Sequence, residues 1–372
     1  MNTPVVPRPD TTSGRFIALD ALRGLAIALM ILVNTPGSWS HVYAPLLHAP
    51  WHGFTFADLV FPMFLFAVGA AMAFSMAKAT PTAAVFGKIA KRTLLLFGCG
   101  LFLHWFPFSQ SLTELRIPGV LQRIALCYGL AALLLLYLKP RPLLWVAVLL
   151  PLLYWGLLWQ FSLQHPYELS GNAVQRFDLW LLGSAHLYQG FGAAFDPEGL
   201  LSTLPAVSSV LVGYLVATAL RQMDKASSVL WLLRWGLALC LFGLFWHLLW
   251  PINKPLWSGS YVVFSSGLIL LLLAAMVWWM DVRQRQTLQP LVVYGSNPLF
   301  IYMLSWLWAS AASQLIRFSY GGQTISLYQF GFDSLNVLLP AKLASLVFAL
   351  LHVLLFWGLS YWLYQRRIFI KL

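Results

Sequence analysis

The stretch 48-HAPWHGFTFADLVFPMFLFAVG-69 joins a polar loop to an apolar run, and its two ends make conflicting demands. His48 and His52 flank Pro50, Asp58 follows, and from Leu59 to Gly69 no charged side chain interrupts the run. Such a run suits the interior of a bilayer. A carboxylate beside hydrocarbon costs roughly 2.5–3.5 kcal/mol even on lenient insertion scales. Asp58, at or inside the first turn of the helix, is therefore a candidate functional residue, and His48 places a titratable imidazole just outside the apolar region.

Runs of the same kind recur along the chain. Of 372 residues, 60% are hydrophobic and 9% charged, against about 25% charged in soluble domains. Segments of about 20 apolar residues suffice to cross the hydrocarbon. Ten are expected, near 16–35, 55–77, 91–108, 117–138, 143–161, 200–220, 228–250, 257–280, 290–312 and 337–364. The expected fold is an all-α, polytopic membrane bundle of about ten transmembrane helices with both termini cytoplasmic. Residues 1–14, polar and carrying Pro4, Pro7 and Pro9, read as a flexible cytoplasmic tail, and 15–372 as one transmembrane domain. The first helix carries Asp20 and lacks a small-residue cleavage site, so it reads as retained rather than as a signal peptide.

Sidedness accounts for most of the net charge of +12. With the N-terminus in the cytoplasm, seventeen of the 23 Lys and Arg residues fall on that side and six on the other, as the positive-inside rule requires. Nucleic acid is accordingly not an expected partner. Cys99, Cys127 and Cys240 all lie in expected spans, and an odd number within membrane segments makes no disulfide framework.

Other polar residues mark candidate positions. Asp20 and Arg23 are three apart and share a helix face, as an intrahelical pair or with Arg23 turned to a phosphate. Asn34 ends the first helix in VNTPG. Arg116 and Arg123 in RIPGVLQR are seven apart and are expected on one helix face, with Glu114 a possible partner. The longest loop on the face opposite the cytoplasm, 162–199, holds aromatics with His186, Asp178, Asp196 and Glu198, a surface suited to a polar ligand such as a sugar. Lys254 and Trp257 in PINKPLWSGSYV are expected at the outer interface, where Trp commonly anchors. His48 and His52 have i,i+4 spacing, but Pro50 breaks a helix through both, so no metal site is expected. The chain has no Walker loop, GxGxxG, HExxH or GxSxG motif.

The segments RFIALDALRGLAI, VNTPG, LHAPWHGFTFADLVFPMFLFAVG, RIPGVLQRIALCY, LLGSAHLYQG, FDPEGLLSTL and PINKPLWSGSYV resemble, in this order and over roughly residues 15–300, the transmembrane heparan-α-glucosaminide N-acetyltransferase family and its bacterial relatives. The resemblance implies acetyl transfer from cytosolic acetyl-CoA to an amino sugar across the membrane. It maps the catalytic histidine of HA-x-W-x-G-x-T-x-x-D to His48, the nearby acid to Asp58 and a family asparagine to Asn34. Arg23, Lys91 and Arg92 are the candidates for the CoA phosphates. Trp51, Arg116, Arg123, His186, Asp196, Glu198, Lys254 and Trp257 are candidates for the acceptor site. The expected partners are acetyl-CoA, the acceptor, the lipid bilayer and a second copy in a homodimer, in a bacterial inner membrane. The resemblance starts without the extra N-terminal lumenal domain of the animal enzyme, which points to glucosamine units or short cell-wall fragments as acceptors. Direct transfer and an acetyl-His48 intermediate both remain open, as do a transporter and an envelope polysaccharide O-acyltransferase.

Overall fold

The computed structural model describes residues 16–163 and 165–370; the tail expected at 1–14 lies outside them. Helix α1 (Ile17–Asn34) stops where Pro36 and Gly37 follow. Its first N–H groups lack intrahelical acceptors, and Asp281, far away in sequence, accepts from Ile17 N and Ala18 N at 3.0 Å each. A 3-10 turn (Phe56–Leu59) leads into α2 (Val60–Ser75), nearly all of whose side chains are buried. Next come α3 (Ala83–Trp105), α4 (Val120–Tyr137) and α5 (Pro140–Phe161). The loop beyond α5 holds α6 (Ala173–Leu182), capped by Asn172, and a 3-10 turn at Ser184–His186.

The second half begins with α7 (Thr203–Leu220), α8 (Lys225–His247) and α9 (Gly259–Met276), the last continuing as a π-helical segment to Val282. The expected ninth span is broken into α10 (Gln289–Tyr294) and α11 (Pro298–Ser310). The break is used: the Gly295 carbonyl accepts from Arg23 Nε at 2.8 Å. A short antiparallel hairpin, β1 (Arg317–Tyr320) and β2 (Gln323–Ser326), was not expected of an all-α chain. The chain closes with α12 (Leu327–Asn336) and α13 (Ala341–Gln365).

Among the described residues, eight helices are long and apolar enough to cross a membrane, against the ten expected. The other two expected spans are α3, which carries Lys88, Lys91 and Arg92 in its first half, and the broken α10/α11 pair. Helices α2 and α7 form the centre of the bundle, while α5, α8 and α13 present Trp145, Leu241 and Leu354 outward. Apolar faces of this extent are suited to lipid and unsuited to water. The protein is a helical integral membrane protein.

Close approach of backbones holds the centre together. A Cβ added at Gly69 of α2 would overlap the Val210 carbonyl oxygen of α7, and one at Gly213 of α7 would overlap the Phe66 carbonyl oxygen of α2. In lipid, where apolar burial alone does not drive helix association, such small-residue contacts supply much of the packing.

Candidate active site

Asp58 is fixed by the way its turn begins. Thr55 caps the 3-10 turn and Asp58 occupies its third position, so the Thr55 N–H donates back to Asp58 Oδ2 at 3.0 Å. The Ala49 N–H donates to the same oxygen at 3.1 Å, and Oδ1 lies 2.8 Å from His48 Nδ1. Asp58 is completely buried, whereas the His48 side chain is 47% exposed. A carboxylate at Nδ1 selects the tautomer that carries its proton there, which leaves Nε2 as the basic nitrogen.

Lys254, on the loop between α8 and α9, reaches the same imidazole. Its Nζ lies 3.0 Å from each ring nitrogen and 3.7 Å from Asp58 Oδ1. Equidistant from the two ring nitrogens, the ammonium stands off the axis of either lone pair, so Nε2 stays open to a substrate proton. Burial lowers the Lys254 pKa, against the opposing pull of Asp58 and Glu198. The loop is tied down by the Gly53 N–H on the Ile252 carbonyl at 2.8 Å and by Asn253 Nδ2 beside His52 Nδ1 at 3.2 Å.

Arg116 builds the facing wall. It lies in the segment before α4, so it shares no helix face with Arg123, contrary to the seven-residue spacing: Pro118 and Gly119 delay the helix to Val120. Its partners are not Glu114 but Asp196, by two bonds of 2.8 Å, and Glu198 at 2.7 Å, while its guanidinium covers the Tyr188 ring. Arg123 is fully buried behind this wall, donating to the Gly199 carbonyl and Ser202 Oγ with Trp257 against its guanidinium. Trp257 is likewise fully buried, so it is no interfacial anchor; the arginine and the rings of Phe61 and Tyr261 enclose it. Asp178 of α6 accepts from the Leu200 N–H at 3.0 Å, and burial pushes its pKa up to about 7.

These groups surround a cavity of about 650 Å³ lined by His48, Asp58, Asn34, Lys254, Arg116 and Glu198. Trp39, Tyr188, Phe191 and Trp306 supply aromatic walls. Toward the opposite end of the same helices lies a pocket of about 130 Å³ that includes Arg23 and Arg92, the latter over the Tyr128 ring. Helices α1, α2, α3, α4 and α11 line both spaces. A larger apolar groove of about 830 Å³ among α5, α7, α8 and α9 lies apart from His48 and is walled mainly by aliphatic and aromatic side chains.

The family model described as heparan-alpha-glucosaminide N-acetyltransferase, catalytic, matches residues 15–246. The chain belongs to this family. It is 29% identical to the human heparan-alpha-glucosaminide N-acetyltransferase, over 81% of this chain and 54% of that protein. With the mouse protein of the same name it shares 28% identity over 80% of this chain and 54% of that one. The chain thus spans about half the length of the curated relatives it matches.

Within this N-acetyltransferase-family chain, the residues singled out from sequence divide by position. His48, Asp58, Asn34, Lys254, Arg116 and Glu198 converge on the larger cavity, and Arg23 and Arg92 on the smaller pocket. Lys91 is exposed and lies outside that pocket's wall. Asp196, Arg123 and Trp257 stand behind the wall, and Trp51 donates from Nε1 to the Tyr167 carbonyl at 2.7 Å. His186 Nδ1 pairs with the Leu115 carbonyl at 2.7 Å and braces the Arg116 segment. Sequence reasoning missed Gln122, His104 and Tyr302, which also line the cavity. The signal was present for Gln122, an amide inside an otherwise apolar span.

Proposed function

We propose that this chain transfers acetyl from acetyl-CoA to the amino group of an amino sugar, with His48 as general base. The observation that carries the reading is the placement of two spaces along one set of five helices, a basic pocket at one end and the His48 cavity at the other. Arg23 and Arg92 then bind the CoA phosphates, with exposed Lys91 adding positive potential at the mouth. The pantetheine arm runs between the helices and presents its thioester beside His48. The basic pocket faces the cytoplasm, and the His48 cavity faces the other side, the periplasm of a bacterial cell.

The chemistry follows from the tautomer. His48 Nε2 takes a proton from the sugar ammonium, because only the free amine has a lone pair to attack the thioester carbon. The C–N bond forms, the carbonyl oxygen gains charge, and Asn34 and Lys254 stabilise it by hydrogen bonding. The C–S bond then breaks as the imidazolium gives its proton to the departing thiolate, and the freed Nε2 takes the second proton from the amide nitrogen, so that turnover yields the N-acetyl sugar, free CoA and one proton. Asp58 keeps the ring oriented throughout. The acceptor sits against Arg116, Glu198 and the aromatic walls.

Purified protein incubated with labelled acetyl-CoA and a panel of amino sugars tests the reading. Labelled N-acetyl product is expected, with turnover falling by roughly 10²–10⁴-fold in His48→Ala, as on loss of a general base. His52→Ala, which loses its contacts with Asn253 and the Trp51 ring but touches neither His48 nor Asp58, retains most activity. CoA should still raise the thermal midpoint of His48→Ala by binding the native state. Parental turnover in His48→Ala removes the base assignment, and transport of the sugar without acetylation removes the enzymatic reading.

A further inference from the structure

One polar group near the junction of the two spaces has no role in the scheme above. Gln122 on α4 lines the His48 cavity and is 2% exposed, yet among the described residues neither its Nε2 nor its Oε1 has a hydrogen-bond partner. A buried amide without a partner is unfavourable, because it has given up its hydrogen bonds to solvent without replacing them. Packing does not call for it, since leucine or methionine has similar bulk. Its surroundings are instead cut away to make room. A Cβ added at Gly100 of α3 would overlap Gln122 Oε1, and one at Gly119 would stand 2.8 Å from the same atom.

Its level in the membrane is equally specific. Leu96 lies one turn from Gly100 on α3 and lines the basic pocket, as do Ile124 and Tyr128 further along α4. Along α4, Gln122 is therefore the last residue that lines the His48 cavity before Ile124, the first that lines the basic pocket. The polymethylene segments of a CoA arm ask nothing of such a residue, but the amide groups of that arm carry a donor and an acceptor that must be satisfied once the arm leaves solvent. A primary amide carries both complements.

We propose that Gln122 is the intramembrane binding residue for an amide of the donor's pantetheine arm. The inference rests on the acetyl-CoA reading and adds the contact that recognises the arm between its phosphates and its thioester. The Gln122 amide makes no hydrogen bond among the described residues, so its replacement removes an interaction made only when donor is bound.

The test compares Gln122→Leu with the parent using S-acetylpantetheine and an S-acetyl alkanethiol of matched length that lacks amides. The parent should prefer S-acetylpantetheine by about tenfold in kcat/KM, the scale of one well-made hydrogen bond. Gln122→Leu should abolish that preference, mainly through KM, with its ligand-free thermal midpoint equal to or above the parent's. Gly100→Ala, which displaces the amide while leaving it in the chain, should weaken the preference in the same direction. Retention of the parental preference by folded Gln122→Leu overturns the proposal, as does a ligand-free midpoint several degrees lower, which marks a structural residue. If Gln122→Leu does not accumulate, Gly100→Ala decides on the same criteria. A parent that neither binds CoA nor uses it removes the functional reading itself, a result distinct from a parent that uses both donors equally well.

Discussion

Asp178 and Asp58 are both completely buried carboxyl groups, and their hydrogen bonds separate them. Both oxygens of Asp58 are engaged, whereas Asp178 Oδ2 has no hydrogen-bond partner among the described residues. Burial without full compensation pushes the Asp178 pKa up to about 7. The folded chain therefore holds a proton there that the unfolded chain releases near pH 4, so this contribution to stability is complete below the unfolded value and is lost as pH rises to about 7. The thermal midpoint of detergent-purified protein should fall over this interval, with a one-proton slope of at most about 1.4 kcal/mol per pH unit. Asp178→Asn keeps the shape and removes the ionisation, so it should flatten the slope and raise the midpoint above pH 7. An unchanged slope in that variant would show that Asp178 does not titrate there. The consequence reaches the cavity wall, because Asp178 holds Leu200, two residues beyond Glu198.

At the level of elements, the crossing of α2 and α7 sets where Asp58 stands, since α2 continues directly from the turn that carries it. Gly69→Ala or Gly213→Ala forces a methyl group onto a carbonyl oxygen of the facing helix. Each should destabilise by about 1–3 kcal/mol, the usual cost of overpacking. Gly87→Ala, where a Cβ meets nothing nearby, should leave the thermal midpoint essentially unchanged. Equal midpoints for all three variants would show that the crossing does not depend on close backbone approach. The helices themselves were legible in sequence because apolar runs and Pro or Gly stops are local signals: α1 ends at VNTPG and α2 begins after T-x-x-D, as expected. The His48–Asp58 pair was legible for the same reason, being ten residues apart. The partners of Arg116 lie 80 and 82 residues away, and Lys254 meets His48 across 206, so no local pattern could announce them. Spacing alone also misplaced Arg116, because the periodicity was counted through Pro118 and Gly119, where the helix had not yet begun. Trp257 was misread because a tryptophan near a span end has two common fates, and the buried guanidinium of Arg123 that decides between them comes from another helix.

For the whole molecule, the charge asymmetry and the two spaces make one joint statement about orientation. Arg23 and Arg92 belong to the basic-rich side of the sequence, and the pocket they line is the one assigned here to CoA phosphates. On the proposed reading, His48 and the 162–199 loop face away from the cytoplasm. Two exposed serines report the two sides: Ser170 in that loop, and Ser75 at the wall of the basic pocket. In a background with Cys99, Cys127 and Cys240 replaced by alanine, Ser170→Cys should react with an impermeant maleimide on intact cells. Ser75→Cys should react only after permeabilisation, and millimolar CoA should slow that reaction. The opposite labelling pattern would invert the chain in the membrane and put the basic pocket where cytosolic acetyl-CoA cannot reach it. Correct sidedness without protection by CoA would keep the topology and move the phosphates away from Arg23 and Arg92. Protection of Ser75 together with parental labelling of Ser170 would place a ligand in the basic pocket while leaving the outer loop open, the arrangement needed for donor and acceptor to enter from opposite sides and meet at His48.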